Sequence, residues 1–148
     1  MAKFIFKFNT LKKYKENLEK ILQKEIAEID LEIAAKQENI KQIVDELYNA
    51  KENLLKKQKL SGFDLNYYQD FSNFCEHKIN KLQDEIKTLE KKRQNKVAEL
   101  LEKTKEKKIV YRIEELHKEA FEFEQNKIEQ SFIDELASVR FAREQSEK

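Results

Sequence analysis

The chain has 148 residues, of which 40% are charged, and it contains one glycine and no proline. Compact mixed folds need glycine and proline at their turns, so this composition argues against them and favours long helices. The net charge of +1 also disfavours nonspecific binding to nucleic acid or to an anionic membrane.

The first residues alternate apolar and polar side chains before a helical period begins. Phe4, Phe6 and Phe8 are two apart, as in an extended segment, whereas Leu11 and Tyr14 start a helical spacing. The alternation is compatible with a short strand that pairs with a partner, or with a staple that folds back on the helices. The apolar start is too short for a signal peptide and no run is long enough to cross a membrane, which favours a cytosolic protein.

Two long segments then show the heptad pattern of a coiled coil, with apolar residues at alternating spacings of three and four. The first segment has these residues at Ile26, Ile29, Ile33, Ile40, Ile43, Leu47, Ala50 and Leu54, with Lys36 as a polar interruption. The second has them at Tyr68, Cys75, Ile79, Leu82, Ile86, Leu89, Val97 and Leu100, with Arg93 as a polar interruption.

The two segments fit either one continuous rod or a hairpin folded at Gly62, and two observations favour the hairpin. A turn near Ser61 and Gly62 sets core positions opposite one another, for example Ile40 and Leu82. The facing segments also have opposite charge, since residues 25–46 hold seven acidic and two basic side chains and residues 76–97 hold four and seven. Residues 1–24 are likewise basic and residues 114–148 acidic.

The sequence therefore predicts an all-α fold, a long antiparallel two-helix coiled-coil hairpin forming a single domain over residues 1–148. The predicted parts are an extended or flexible start at 1–9, a helix at 10–60, a turn at 61–64, a second helix at 65–143 and a flexible tail at 144–148. The polar run Glu102–Lys108 is expected to remain helical because it lacks glycine and proline, and a packed third helix is the lesser possibility.

No residue pattern points to catalysis, so the chain is predicted not to be an enzyme and to bind no cofactor or metal. Cys75 and His77 are two apart and point to different faces of a helix, so they cannot converge on one ion. Cys75 suits a small core position, and His117 is isolated. A phosphate-binding loop of the Walker type is absent from the sequence.

Two apolar clusters exceed what a two-helix coil can bury. Behind the glycine, Tyr67, Phe74 and Lys78 form a stripe beside the core positions, which suggests docking, or alternatively a cap that seals the end of the coil. Near the C-terminus there is more apolar surface than one helix can hide, so a covering element is expected. These C-terminal residues are Phe132, Ile133, Leu136, Val139 and Phe141.

Three stretches of the sequence resemble the FliJ family, the small coiled-coil stalk proteins of flagellar type III export, with relatives in the injectisome. They are FIFKFNTLKKYKE (4–16), NYYQDF (66–71) and EQSFIDELA (129–137), the last of which is similar to the family's E-Q-x-x-x-D-E-[LF]-A signature. The resemblance covers most of the chain. It implies a monomeric rod similar to the central stalk of rotary ATPases. It also implies a cytoplasmic protein placed peripherally at the membrane-embedded export apparatus.

The resemblance also implies partners and contact residues. The paired terminal ends would enter the pore of the hexameric export ATPase (FliI), and the tip would reach the cytoplasmic domain of the export gate protein (FlhA). The ATPase regulator FliH and export chaperones are further expected partners. The gate contact would comprise Tyr67, Phe71, Phe74, Cys75 and Lys78. The ATPase contact would comprise Leu11, Tyr14, Leu18, Glu129, Gln130, Ile133, Asp134, Glu135, Leu136 and Arg140.

Two other readings remain open on the sequence alone. The chain could be a homodimeric coiled-coil export chaperone or interaction scaffold, which a stable dimer at micromolar concentration would favour. An enzyme that uses Cys75 would instead lose thiol-dependent turnover on Cys75→Ala.

Overall fold

The computed structural model describes residues 2–147. Over that range the chain forms two helices and no strand, which confirms the all-α prediction. Helix α1 spans Asn9–Leu55 (47 residues) and helix α2 spans Gly62–Ser146 (85 residues). Internal contacts divide the chain into two units, which we call the hairpin unit, Glu19–Leu101, and the terminal unit, Met1–Leu18 with Glu102–Lys148.

The helix bounds differ from the predicted ones around the connection. Helix α1 ends at Leu55 rather than at residue 60, and α2 begins at Gly62 rather than at 65. The connection is therefore 56–61, and its three lysines follow the C-terminus of α1, where positive charge is favourable to the helix dipole. Helix α2 also continues to Ser146, through the polar run and most of the predicted flexible tail, whose last residue, Lys148, lies outside the described range.

The core of the hairpin unit lies at the predicted heptad positions and at Leu22, which precedes the first of them by four residues. Its buried side chains are Leu22, Ile26, Ile29, Cys75 and Ile86. The other predicted core positions are half-buried, apart from Val97, which is exposed. This graded burial follows from the architecture, because two packed helices can hide only one narrow strip of each surface.

Ion pairs along the hairpin unit join the acidic stretch of α1 to the basic stretch of α2. The paired residues are those that a turn beside Gly62 places opposite one another. Two of the pairs involve the polar interruptions Lys36 and Arg93, whose charged ends reach the flank of the core. The N–O distances are 2.9 Å for Lys96–Glu25, 2.6 Å for Arg93–Asp30 and 2.6 Å for Lys36–Glu85.

The turn depends on a capping box rather than on the conformational freedom of its glycine. The Ser61 hydroxyl accepts a hydrogen bond from the Asp64 backbone N–H (3.1 Å), and the Asp64 carboxylate accepts one from the Ser61 N–H (3.2 Å). Lys57 adds an ion pair to Asp64 at 2.8 Å. Gly62 does not have a positive φ, and a Cβ built on it would meet no atom within 4 Å. The chain therefore folds back at the predicted place, but a positive φ at the glycine is not what makes the turn.

In the terminal unit, the beginning of α1 packs against the middle of α2. Lys12 pairs with Glu114 at 3.0 Å and Lys15 with Glu106 at 2.7 Å, and Val110 is buried beside them. These pairs join a basic segment to an acidic one, in agreement with the charge pattern of the two chain ends.

Residues 2–8, which we call the N-terminal strap, run along α2 without regular secondary structure. The Phe4 ring lies 5.5 Å from that of Phe121, and Phe6 is buried with its ring 5.9 Å from the His117 ring. Phe8 also contacts His117, at 6.2 Å. The two possibilities left open by the alternating sequence are thus resolved in favour of the staple.

Candidate interaction surfaces

The aromatic residues that follow the turn form an exposed surface on the hairpin unit. Phe63, Tyr67 and Phe74 are exposed, and the Phe63 and Tyr67 rings stack at 6.5 Å. The Lys78 ammonium lies 5.3 Å from the centroid of the Phe74 ring, a cation–π contact. We call these four residues the tip surface. An exposed apolar cluster of this kind is typical of a docking site.

Two residues of the predicted gate contact lie deeper than the rest. Phe71 is half-buried and lines a groove of about 210 Å³ together with Leu54, Tyr67 and Tyr68. Cys75 is only 2% exposed, in the core between the helices. A direct contact through Cys75 is therefore excluded in this conformation, and its thiol packs beneath the surface that Phe74 and Lys78 present.

The predicted ATPase contact separates into two patches in the terminal unit. Leu11 and Tyr14 are exposed on α1 and Leu18 is half-buried, close to the Lys12–Glu114 pair. The second patch lies towards the end of α2, roughly 28 Å along the helix from Glu114 to Ile133 at 1.5 Å per residue. All of its members are exposed: Glu129, Gln130, Ile133, Asp134, Glu135, Leu136 and Arg140. The structure does not bring the two patches together.

A row of apolar side chains on α2 continues past the last residues that α1 and the strap cover. Ile128, Phe132, Leu136 and Val139, which we call the C-terminal stripe, are spaced by four, four and three residues and share one helix face. They are between 49% and 61% exposed, and every side chain from 126 to 147 is exposed. The stripe is on the same face as Val110 and Phe121, which are covered.

The predicted ATPase contact included only Leu136 of this stripe, although the sequence analysis placed Phe132 and Val139 among the apolar C-terminal residues that need a covering element. Ile128, Phe132 and Val139 were absent from the predicted contact because the family signature, not the helical face, selected its members. The signal was present in the sequence, since these residues continue the helical spacing of the covered positions Val110 and Phe121.

Charge pairing shifts the pKa of several groups in the two units. The hydrogen bond from Lys36 lowers the pKa of Glu85, and that from Lys15 lowers the pKa of Glu106. Lys57 and then Ser61 lower the pKa of Asp64 by hydrogen bonding. Glu25 raises the pKa of Lys96 in the same way. In every case the partner favours the charged form, so these shifts are those of structural ion pairs rather than of groups prepared for proton transfer.

The described residues include no candidate metal site and no candidate membrane span. No group of three or more His, Cys, Asp or Glu side chains within residues 2–147 has the arrangement to hold a metal ion. Neither helix, over the same range, contains a stretch long and apolar enough to cross a membrane. The surfaces found here are suited to binding other proteins.

Comparison with known proteins identifies the family. The family model described as "Flagellar FliJ protein" matches residues 4–146, which include most of the strap, both helices and the C-terminal stripe. No curated protein and no solved structure matches the chain. The chain therefore belongs to the FliJ family, a family of non-enzymatic components of flagellar protein export.

Proposed function

We propose that this chain is a stalk that couples the export ATPase (FliI) to the export gate (FlhA). Its terminal unit binds inside the ATPase hexamer and promotes assembly and activity, and its tip surface binds the cytoplasmic domain of the gate. FliH and export chaperones act at the same apparatus. The observation that carries the proposal is the C-terminal stripe, a core-type face that lacks a covering helix in the described chain.

The stripe has the properties of half a coiled-coil interface. Its four apolar residues continue the face that packs against α1 and the strap, so a partner helix on it would extend an existing core. Phe132 is the largest of them and lies near the middle of the stripe, as expected of a residue that dominates binding energy. Leaving this surface in water has a cost that binding removes.

The coupling mechanism follows from symmetry. A single asymmetric chain in a sixfold ring cannot contact all six subunits alike. It therefore binds their conformations with different affinities, and this difference is what shifts the equilibrium between nucleotide states. Such a component raises the turnover of the ATPase without a catalytic group of its own.

The test is stimulation of the purified ATPase by the chain and by a version truncated before Glu129. We expect the full chain to raise ATP turnover and the truncated one to fail, because it lacks all of the stripe except Ile128. Phe74→Ala serves as a control that leaves the terminal unit intact and should stimulate normally. Full stimulation by the truncated chain would contradict binding through the C-terminal stripe.

Light scattering separates this proposal from the dimeric chaperone or scaffold. The stripe could also be covered by a second copy of the chain, which would then be a stable dimer at micromolar concentration. A stalk should be a monomer that associates with the hexamer, so a dimer whose stripe is protected would argue for the scaffold.

A further inference from the structure

The N-terminal strap covers one part of the α2 face whose remainder is bare. Phe4 and Phe6 point towards α2, on Phe121 and His117, whereas Ile5 between them is 82% exposed. Phe121 lies on the same face as Ile128 and Phe132 of the C-terminal stripe. The strap and the stripe are thus consecutive parts of one surface, and a helix long enough to use all of it would meet the strap.

The strap is held mainly by its aromatic rings. Its backbone hydrogen bonds occur only where it joins α1, from the Asn9 N–H to the Phe6 carbonyl (3.3 Å) and from the Lys12 N–H to the Phe8 carbonyl (2.9 Å). No backbone bond of this kind anchors residues 2–5. A segment with so few contacts opens at a small fraction of the cost of global unfolding.

The chemistry of the strap indicates what else the surface accepts. The strap has two exposed cations, Lys3 before its first phenylalanine and Lys7 between Phe6 and Phe8. Residues 114–147 hold ten acidic side chains and four basic ones. An apolar, basic segment therefore already occupies the first part of an acidic-flanked apolar face. By charge complementarity, a partner helix on this face would be amphipathic with basic flanks.

We propose that the strap is a built-in competitor for this surface, which a basic amphipathic helix of the partner displaces from the Phe121 region when it docks along α2. The inference rests on the proposed function, which makes the export ATPase that partner. Because the partner binds the full surface only when the strap is open, the apparent affinity of the intact chain is its intrinsic affinity multiplied by the open fraction. Short or weakly apolar helices do not displace the strap and so cannot occupy the full surface.

The test compares the affinity of the purified cognate export ATPase for three full-length chains. The double variant Phe4→Ala/Phe6→Ala removes two of the three strap rings that contact α2 and leaves Phe8, which adjoins α1. Ile5→Ala is the matched control because that side chain is exposed in the same segment. If the strap is closed nine-tenths of the time, the double variant should bind about tenfold more tightly than the other two. Equal or weaker binding by the double variant overturns the inference.

A distance measurement detects the displacement itself. Spin labels at Ile5→Cys and Glu122→Cys report whether the strap lies on α2, and the native Cys75 is shielded from labelling by its burial. Addition of the ATPase should lengthen and broaden the distance between the labels, and an unchanged distance in a fully bound sample overturns the inference. Absence of binding by all three chains would instead overturn the proposed function, and this inference with it.

Discussion

The hairpin unit and the end of α2 have similar heptad spacing but opposite burial. In the hairpin unit the apolar positions of one helix meet those of the other, and Ile29 is 4% exposed. In the C-terminal stripe, residues of the same type at the same spacing are about half exposed. The pattern along the sequence is therefore similar where the apolar face is buried and where it is exposed.

This difference separates stability from binding in the chain. Burial of apolar surface in the hairpin unit contributes to the free energy of folding, whereas the equivalent surface of the stripe contributes only when another helix covers it. Substitutions in the two regions should consequently be read by different measurements, unfolding for one and partner binding for the other.

The largest effect on stability is expected from a charge in the hairpin core. Ile29→Asp places an unpaired carboxylate between the helices and should lower the free energy of unfolding by several kcal/mol, about 3 or more. Leu31→Asp is the matched control, since Leu31 is 71% exposed on the same helix. Urea denaturation followed by circular dichroism measures both. A comparable loss for the two variants would remove the distinction between core and surface in this unit.

The same charge in the stripe should affect binding and leave stability unchanged. Phe132→Asp is expected to abolish most of the stimulation of the ATPase because it breaks the centre of an apolar contact. Its unfolding free energy should stay within about 0.5 kcal/mol of the wild type. Ala137→Asp lies on the far side of α2 from the stripe but beside Ile133 and Arg140. It should stimulate normally if the stripe alone makes the contact, and a loss would include those two residues in it. Loss of folding in Phe132→Asp would show that the stripe is covered within the chain.

Phe74 distinguishes docking from capping at the tip surface. If the tip binds the export gate, Phe74→Ala should weaken binding to the purified cytoplasmic domain of FlhA while the melting temperature hardly changes. The residue is exposed, and its ring makes a cation–π contact with the Lys78 ammonium. A large fall in melting temperature with unchanged gate binding would favour the alternative that the aromatics seal the end of the coil.

A smaller effect should separate the capping box from the glycine. Ser61→Ala removes the hydroxyl that caps α2 and is expected to cost about 1 kcal/mol of unfolding free energy. Gly62→Ala should be neutral or stabilising by up to about 1 kcal/mol, because the backbone conformation there suits any residue and alanine reduces the entropy of the unfolded chain. If Gly62→Ala lowered the free energy of unfolding more than Ser61→Ala does, the turn would depend on the glycine rather than on the capping box.

The pH dependence of stability should reflect the exposed ion pairs only modestly. The lowered pKa values of Asp64, Glu85 and Glu106 mean that their contributions are present above the ordinary carboxyl pKa values and are lost as the pH falls through the lowered ones. The raised pKa of Lys96 acts in the opposite direction. Its contribution is present below the ordinary lysine pKa and is lost as the pH rises through the raised one, in strong alkali.

Glu85→Gln tests the predicted loss of stability at acidic pH. The free energy of unfolding, measured between neutral and strongly acidic pH, should fall less for the variant than for the wild type. The reason is that the variant lacks the carboxyl group whose pKa differs between the folded and unfolded states. A profile identical to that of the wild type would mean that the Lys36–Glu85 pair contributes nothing measurable, as is true of many exposed pairs.

Much of the fold was predictable because its apolar residues recur at regular spacings along the sequence. The alternating spacing of Ile26, Ile29 and Ile33 determines which face of α1 is apolar, and the opposite charges of the two segments favour the antiparallel register. Only short-range spacing is needed for such inferences, and the sequence displays it directly. The same holds for Cys75, whose position in the heptad predicted its place in the core.

Tertiary structure alone decided where that periodic surface is covered. The spacing of Ile128, Phe132 and Val139 is no different from that of buried residues, so their exposure depends on where α1 begins and how far the strap reaches. The strap itself was ambiguous, because alternating phenylalanines suit a strand and a staple equally well until Phe121 and His117 lie beneath them. Burial is a property of two surfaces in contact, and a sequence pattern describes only one of them.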